Sequence, residues 1–180
     1  MRLLSTTVIL LFCVMFFACS NKEQEKIRIV LPEQDSVNKE QKEIDEIYSL
    51  LICSIVYDDW QGADRPRDKR RGYNIGSLIV NENNEPVYSS LNSINSTNNT
   101  TQHGEVRAIT GYLNDSSMYN LKGHTIYTTL EPCVMCAGLI IMSSTQRVVY
   151  MQNDIDYSKA FERLAIDTKE CGDIHHIPGH

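Results

Sequence analysis

The chain has 180 residues, of which 42% are hydrophobic and 22% charged. That length holds one domain with a real core and is short for two, and the composition is that of a soluble globular protein. The formal charge of −6 sets it against the basic surfaces that grip nucleic-acid backbones, so a large nucleic-acid partner is disfavoured.

Residues 3–18 are nearly all apolar, led by Arg2 and followed by Cys19-Ser20-Asn21-Lys22-Glu23. The run is shorter than the roughly 20 residues of a membrane helix and reads as a secretory signal over 1–18. Its end, Phe16-Phe17-Ala18-Cys19, resembles a bacterial lipobox, with Phe16 where Leu is commoner. The resemblance implies lipidation at Cys19 and a mature protein anchored to the membrane in the bacterial cell envelope, outside the cytoplasm. Loss of Arg2 with the signal leaves 16 − 23 = −7. An uncleaved anchor helix and a plain secretory signal are the alternatives. Residues 19–37 are polar apart from a patch at 27–31 and read as a tether. The folded domain is expected over 38–180. It holds Cys53, Cys133, Cys136 and Cys171, and an exported protein can form disulfides.

Asn38 is suited to cap a helix running to about Tyr57, with Ile44, Ile47, Tyr48, Leu51 and Ile55 on one face and Cys53 packed within it. Residues 62–72 form a loop with the basic cluster Arg65, Arg67, Lys69, Arg70 and Arg71, either solvated or a phosphate contact. Residues 75–80 and 87–91 read as a hairpin about the turn at 81–86. A polar loop over 92–102 leads to a helix at 103–113 with Val106, Ile109 and Leu113 inward. A strand is expected at 124–130, where His124 is structural. Pro132 then opens a helix over 133–143 with its apolar interior at 139–142. A strand at 147–151 and a helix at 157–166 follow, the latter with Phe161 and Leu164 inward. Trp60 belongs to the core or rim, and the polar residues 168–180 suggest no element. The alternation predicts a sheet covered by helices on both faces.

Two short patterns carry chemistry: His103-Gly104-Glu105 and Pro132-Cys133-Val134-Met135-Cys136. Each opens a helix, and the three-residue step puts both thiols on one face. One imidazole and two thiolates are three of the four ligands zinc prefers, and three protein ligands with an open position is the catalytic arrangement. A helix N-terminus favours thiolate. Glu105, two residues from the histidine, can touch a water in the open position. Two rivals exist: a redox Cys-x-x-Cys pair, and a closed structural site completed by His175, His176 or His180.

The patterns resemble the signature of the zinc-dependent cytidine/deoxycytidylate-type deaminase superfamily, His-x-Glu followed by Pro-Cys-x-x-Cys. The run Thr129-Leu130-Glu131-Pro132-Cys133-Val134-Met135-Cys136-Ala137-Gly138 is similar to the branch with tRNA adenosine, guanine and cytosine deaminases, and His-Gly-Glu to its cytosine deaminases. The resemblance implies a three-layer α/β/α sandwich with a mixed, roughly five-stranded sheet. It implies a Zn2+ cofactor on His103, Cys133 and Cys136, and Glu105 as the proton carrier. It also implies a substrate contact at Asn92, eleven positions before the histidine, and a substrate-side loop at Asp154, which a solvated turn would explain equally well. The expected activity is conversion of a ring amino group of a nucleobase or nucleoside, cytosine-type first and guanine or adenine next, to a carbonyl with release of ammonia. Acidic charge and an export signal disfavour tRNA. Homo-oligomers are common in the superfamily, though no interface is legible. An idle deaminase fold used as a surface binding module, and a secreted nucleic-acid-modifying effector, are the other two function classes.

Overall fold

A computed structural model describes residues 38–157, 159–160 and the backbone of 173–176. The expected signal (1–18), the Cys19 lipid site, the tether, Cys171, His180 and most of the helix placed at 157–166 lie outside the described residues. No described helix is long and apolar enough to cross a membrane.

Among the described residues, eight α-helices and β-strands follow in order, besides a short 3-10 turn at Arg67–Lys69: α1 (Lys39–Asp58), β1 (Gly76–Val80), β2 (Pro86–Leu91), α2 (Gly104–Ser116), β3 (Thr125–Leu130), α3 (Val134–Met142), β4 (Arg147–Gln152) and β5 (Asp173–His176). The strands form one mixed sheet in the order β2-β1-β3-β4-β5. β1 is antiparallel to β2 and β3, whereas β3, β4 and β5 run parallel. The fifth strand falls in the polar tail that suggested no element. Its Asp-Ile-His-His sequence has no apolar run, and pairing along β4 defines it instead.

Strand alternation divides the core into two. Leu78, Val80, Tyr127 and Val149 pack with Ile52 of α1, while Ile79, Ile126 and Val148 pack with Ala108 and Ile109 of α2 and Ile140 of α3. Each fully buried Ile or Val contributes about 1.5–3 kcal/mol relative to exposure. The result is the expected three-layer sandwich.

Helix α1 starts where its cap predicts, with Asn38 Oδ1 accepting from the Gln41 N–H at 2.7 Å. Its buried face is different from the expected one: Asp45, Ser49, Ile52 and Val56 point inward, Tyr48 and Ile55 flank them, and Ile47 is exposed. The inward stripe contains two polar residues, so counting apolar side chains rotates the helix the wrong way. Asp45 is satisfied by Arg147 and Tyr127, which no local pattern reveals. Cys53 is likewise exposed, its sulfur 3.6 Å from Met151 Sδ. Trp60 sits on the rim, and Met142 faces outward although Ile140 and Ile141 are buried. In α2 the buried stripe is Gly104, Glu105, Ala108 and Ile109, with Val106 only partly covered. His124 is structural as expected, bridging Tyr112 Oη and the Lys122 carbonyl.

Candidate active site

Two helix starts meet at the site. His103 is the N-cap of α2 and Cys133 the N-cap of α3, and neither side chain caps its own helix. Both are therefore free to turn toward a common point. Pro132 lies just before the cap rather than inside the first turn. Gly104 allows α2 to begin against the sheet, because a Cβ there would stand 3.3 Å from Ser77 N and from the Ser90 carbonyl.

His103 Nδ1 lies 3.6 Å from Cys133 Sγ and 3.5 Å from Cys136 Sγ, and the sulfurs are 3.6 Å apart. Tetrahedral zinc with Zn–S near 2.3 Å and Zn–N near 2.0–2.1 Å needs ligand separations of about 3.5–3.8 Å. The donors fit that ion in kind and spacing, and among the described residues they are the one group of three or more acidic, His or Cys side chains able to hold a metal. Both cysteines are free rather than bridged. The hydrogen bond from Cys136 pulls the Cys133 thiol down to about 4, while that same contact and burial push Cys136 upward. Contact with Cys133 raises the His103 pKa.

Glu105 is in the first turn of α2 and 3% exposed. Its Oε1 is 3.2 Å from Thr128 Oγ1 and its Oε2 3.5 Å from Cys136 Sγ. Burial pushes its carboxyl above the ordinary range. Thr128 itself receives the Ser77 hydroxyl at 3.2 Å, which fixes the carboxylate from the sheet side. Sequence reasoning missed Thr128. The only available signal was that it shares a strand face with the core residue Ile126.

Asn92 is fully buried. Its Oδ1 accepts from Tyr73 N at 3.2 Å, and its Nδ2 has no hydrogen-bond partner. An orphaned buried donor on a cavity wall is what a substrate acceptor would satisfy. Its surroundings are built to hold it: Arg71 grips both the Asn92 carbonyl and Asp59, at 2.6 Å for the latter. A Cβ at Gly72 would collide with Asn92 Oδ1. Arg71 thus leaves the basic cluster for a structural task, and Arg70 braces the same loop through the Arg65 and Ala63 carbonyls. Asp154 is part of a turn, its Oδ1 accepting from Asp156 N and Tyr157 N, and of the cavity lining.

The cavity of about 250 Å³ is lined by Asn92, His103, Glu105, Glu131 and Cys133 together with Asp154, Asp156 and Tyr157. That is below the roughly 300–1,000 Å³ of drug-sized sites and suits one small ring system. All the predicted site residues among those described, His103, Glu105, Cys133, Cys136, Asn92 and Asp154, converge here.

Fold and site together define a zinc-type deaminase sandwich. Residues 61–152 match the family model described as the cytidine and deoxycytidylate deaminase zinc-binding region, and the chain belongs to that family. The tRNA-specific adenosine deaminase of Rickettsia bellii is 34% identical over 99 residues, covering 54% of this chain and 68% of that one. The probable cytosine deaminase of Schizosaccharomyces pombe is 36% identical over 76 residues, covering 42% and 46%. Several other curated relatives are matched over about half their length. A structure from work on A-to-I editing by tRNA:A34 deaminases superposes with TM-score 0.57 at 22% identity, over 77% of this chain and 99% of that one. At that identity the likeness concerns the fold.

Proposed function

We propose that this protein is a hydrolytic deaminase of a free nucleobase or nucleoside, cytosine-type first. The observation that carries the reading is a buried carboxylate, Glu105, beside a three-donor cation site and facing a one-ring cavity. Zinc held by His103, Cys133 and Cys136 supplies a Lewis acid that makes water a competent nucleophile at neutral pH. Glu105 carries both protons of the attacking water, the first to the ring nitrogen and the second, taken from the newly bonded hydroxyl, to the leaving amine. The water oxygen bonds the ring carbon, the carbon–amine bond breaks, ammonia leaves and a carbonyl remains. Asn92 Nδ2 donates to an acceptor on the ring and holds its plane against Glu105.

Small volume and the carboxylates of Asp154 and Asp156 at the wall favour a neutral ring over a phosphorylated one. A base presented on RNA is the second reading, favoured by the identity to the Rickettsia bellii protein and opposed by the charge of −6. The Cys19 lipid anchor and an envelope location are part of the proposal and rest on the lipobox resemblance. Palmitate labelling that persists in Cys19→Ser would refute that part.

Ammonia release from the zinc-loaded protein across bases, nucleosides, tRNA and single-stranded oligonucleotides tests the function. Release from a free base or nucleoside is expected. Release from tRNA alone would move the protein to the second reading, and release from none would leave the binding-module class.

A further inference from the structure

We propose that Glu131 is a positioning residue that clasps the outer wall of the substrate cavity to the metal-binding turn. The inference rests on the deaminase reading above for its effect on substrate, though the clasp itself does not. Glu131 ends the strand–turn segment that delivers Cys133, and it is 6% exposed. Among the described residues its carboxylate forms no ion pair. A buried carboxylate without a cation is costly unless its oxygens are hydrogen-bonded. Here two backbone N–H groups meet that need, and both come from the facing loop. Asp154 N donates to Oε2 at 3.1 Å and Lys159 N to Oε1 at 2.5 Å.

Three further facts make this a clasp rather than a chance contact. The Glu131 N–H donates to the carbonyl of Gln152, the last residue of β4, at 2.8 Å, so its backbone holds the strand end while its side chain holds the segment that follows. Lys159 has φ 62°, a left-handed conformation that costs a non-glycine residue roughly 1–2 kcal/mol. The bond to Oε1 is anchored at that strained position. Asp154, gripped through its backbone, uses its own Oδ1 to fold the turn that carries Asp156 and Tyr157 into the cavity wall. One side chain two positions from a metal donor therefore sets where the part of the wall formed by Asp154, Asp156 and Tyr157 stands. It lines the same cavity, but its carboxylate oxygens are engaged by the Asp154 and Lys159 N–H groups rather than by the cation donors or Glu105, so its effect falls on substrate binding and not on proton transfer.

Glu131→Gln keeps size and burial but sets an amide NH2 against one of the two N–H donors. In the full zinc-loaded chain we expect one zinc per chain as in the wild type. The Asp154 and Lys159 amides should exchange at least about tenfold faster, and KM should rise about tenfold with kcat within about twofold, as loss of binding rather than of transition-state contact requires. Unchanged amide exchange, a fall in kcat at constant KM, or loss of zinc would each overturn the assignment. The wild type gives an independent measure that needs no variant. Its Asp154 and Lys159 amides should exchange at least about tenfold more slowly than that of the exposed Ile155, and equal rates would overturn the clasp. If the wild type deaminates nothing, the functional reading falls and the exchange rates alone decide the clasp.

Discussion

Arg147 of β4 lays both terminal nitrogens on the carboxylate of Asp45 in α1, Nη1 at 2.5 Å, across 102 positions of sequence. The two side chains are 11% and 3% exposed. Removing one partner of such a pair leaves a buried charge, and Arg147→Met should cost about 3–5 kcal/mol. Asp45→Leu combined with Arg147→Met should cost less than the single change. Urea unfolding of the zinc-loaded protein measures both, and a single-variant cost below about 1 kcal/mol would show that the pair is not what joins the helix to the sheet.

Tyr127 donates to the same carboxylate at 2.8 Å, and burial followed by the Asp45 charge holds its phenol far above the ordinary range. A folded pKa above the unfolded value means the stability is fully present below about pH 10 and drains away as pH rises beyond it. Tyr127→Phe should therefore be less stable than wild type by about 1 kcal/mol at pH 7. That gap should close at pH 11, where only the wild type has a phenol to ionise in the unfolded state. Denaturation midpoints at the two pH values check the sign.

These long-range contacts mark the edge of what was legible in the residues. Regular elements were, because their signals are local: Asn38 as a cap, the β-branched runs at 76–80 and 147–152, the turn at Asn84. The metal donors and Glu105 were legible too, since fixed spacing at two helix starts is a property of sequence. The orientation of α1 was not, because Asp45 turns inward only for a partner on another strand. Nor was β5, whose pairing with β4 supplies what its composition lacks. Glu131 stood in the motif in plain view, yet its role depends on a loop more than twenty positions downstream.

Asn92→Asp keeps the oxygen that accepts from Tyr73 and Ile94 and replaces the orphaned Nδ2 donor with an acceptor. Zinc content and fold should hold, while kcat/KM falls about tenfold to a hundredfold, the effect of one unmade buried hydrogen bond of about 1–3 kcal/mol. Steady-state kinetics on the preferred substrate decide the matter. Wild-type efficiency in this variant would remove Asn92 from the substrate site.

Glu105→Gln preserves the contact with Thr128 and abolishes the proton carrier. Metal analysis should give full zinc occupancy, with turnover reduced about a hundredfold to ten-thousandfold. Retained turnover would reassign the chemistry to another group.

Chelation of zinc should lower the melting temperature without unfolding the domain at 25 °C, because both core clusters lie outside the three donors. Cys136→Ser should weaken zinc retention and shift the holo melting temperature toward the metal-free value. Calorimetry with and without chelator reads both, and collapse of the sheet on chelation would mean that the metal, not the core, holds the fold.

In polymer terms the cation at this site is a crosslink. Its donors are 30 and 33 positions apart along the chain, and the ring they close contains all of α2 and β3. Such a ring withdraws entropy from the unfolded ensemble for as long as the ion stays bound. It also imposes a timetable on synthesis. The first donor leaves the ribosome a full helix and strand before the last, so zinc can close the ring only after α2 and β3 have emerged.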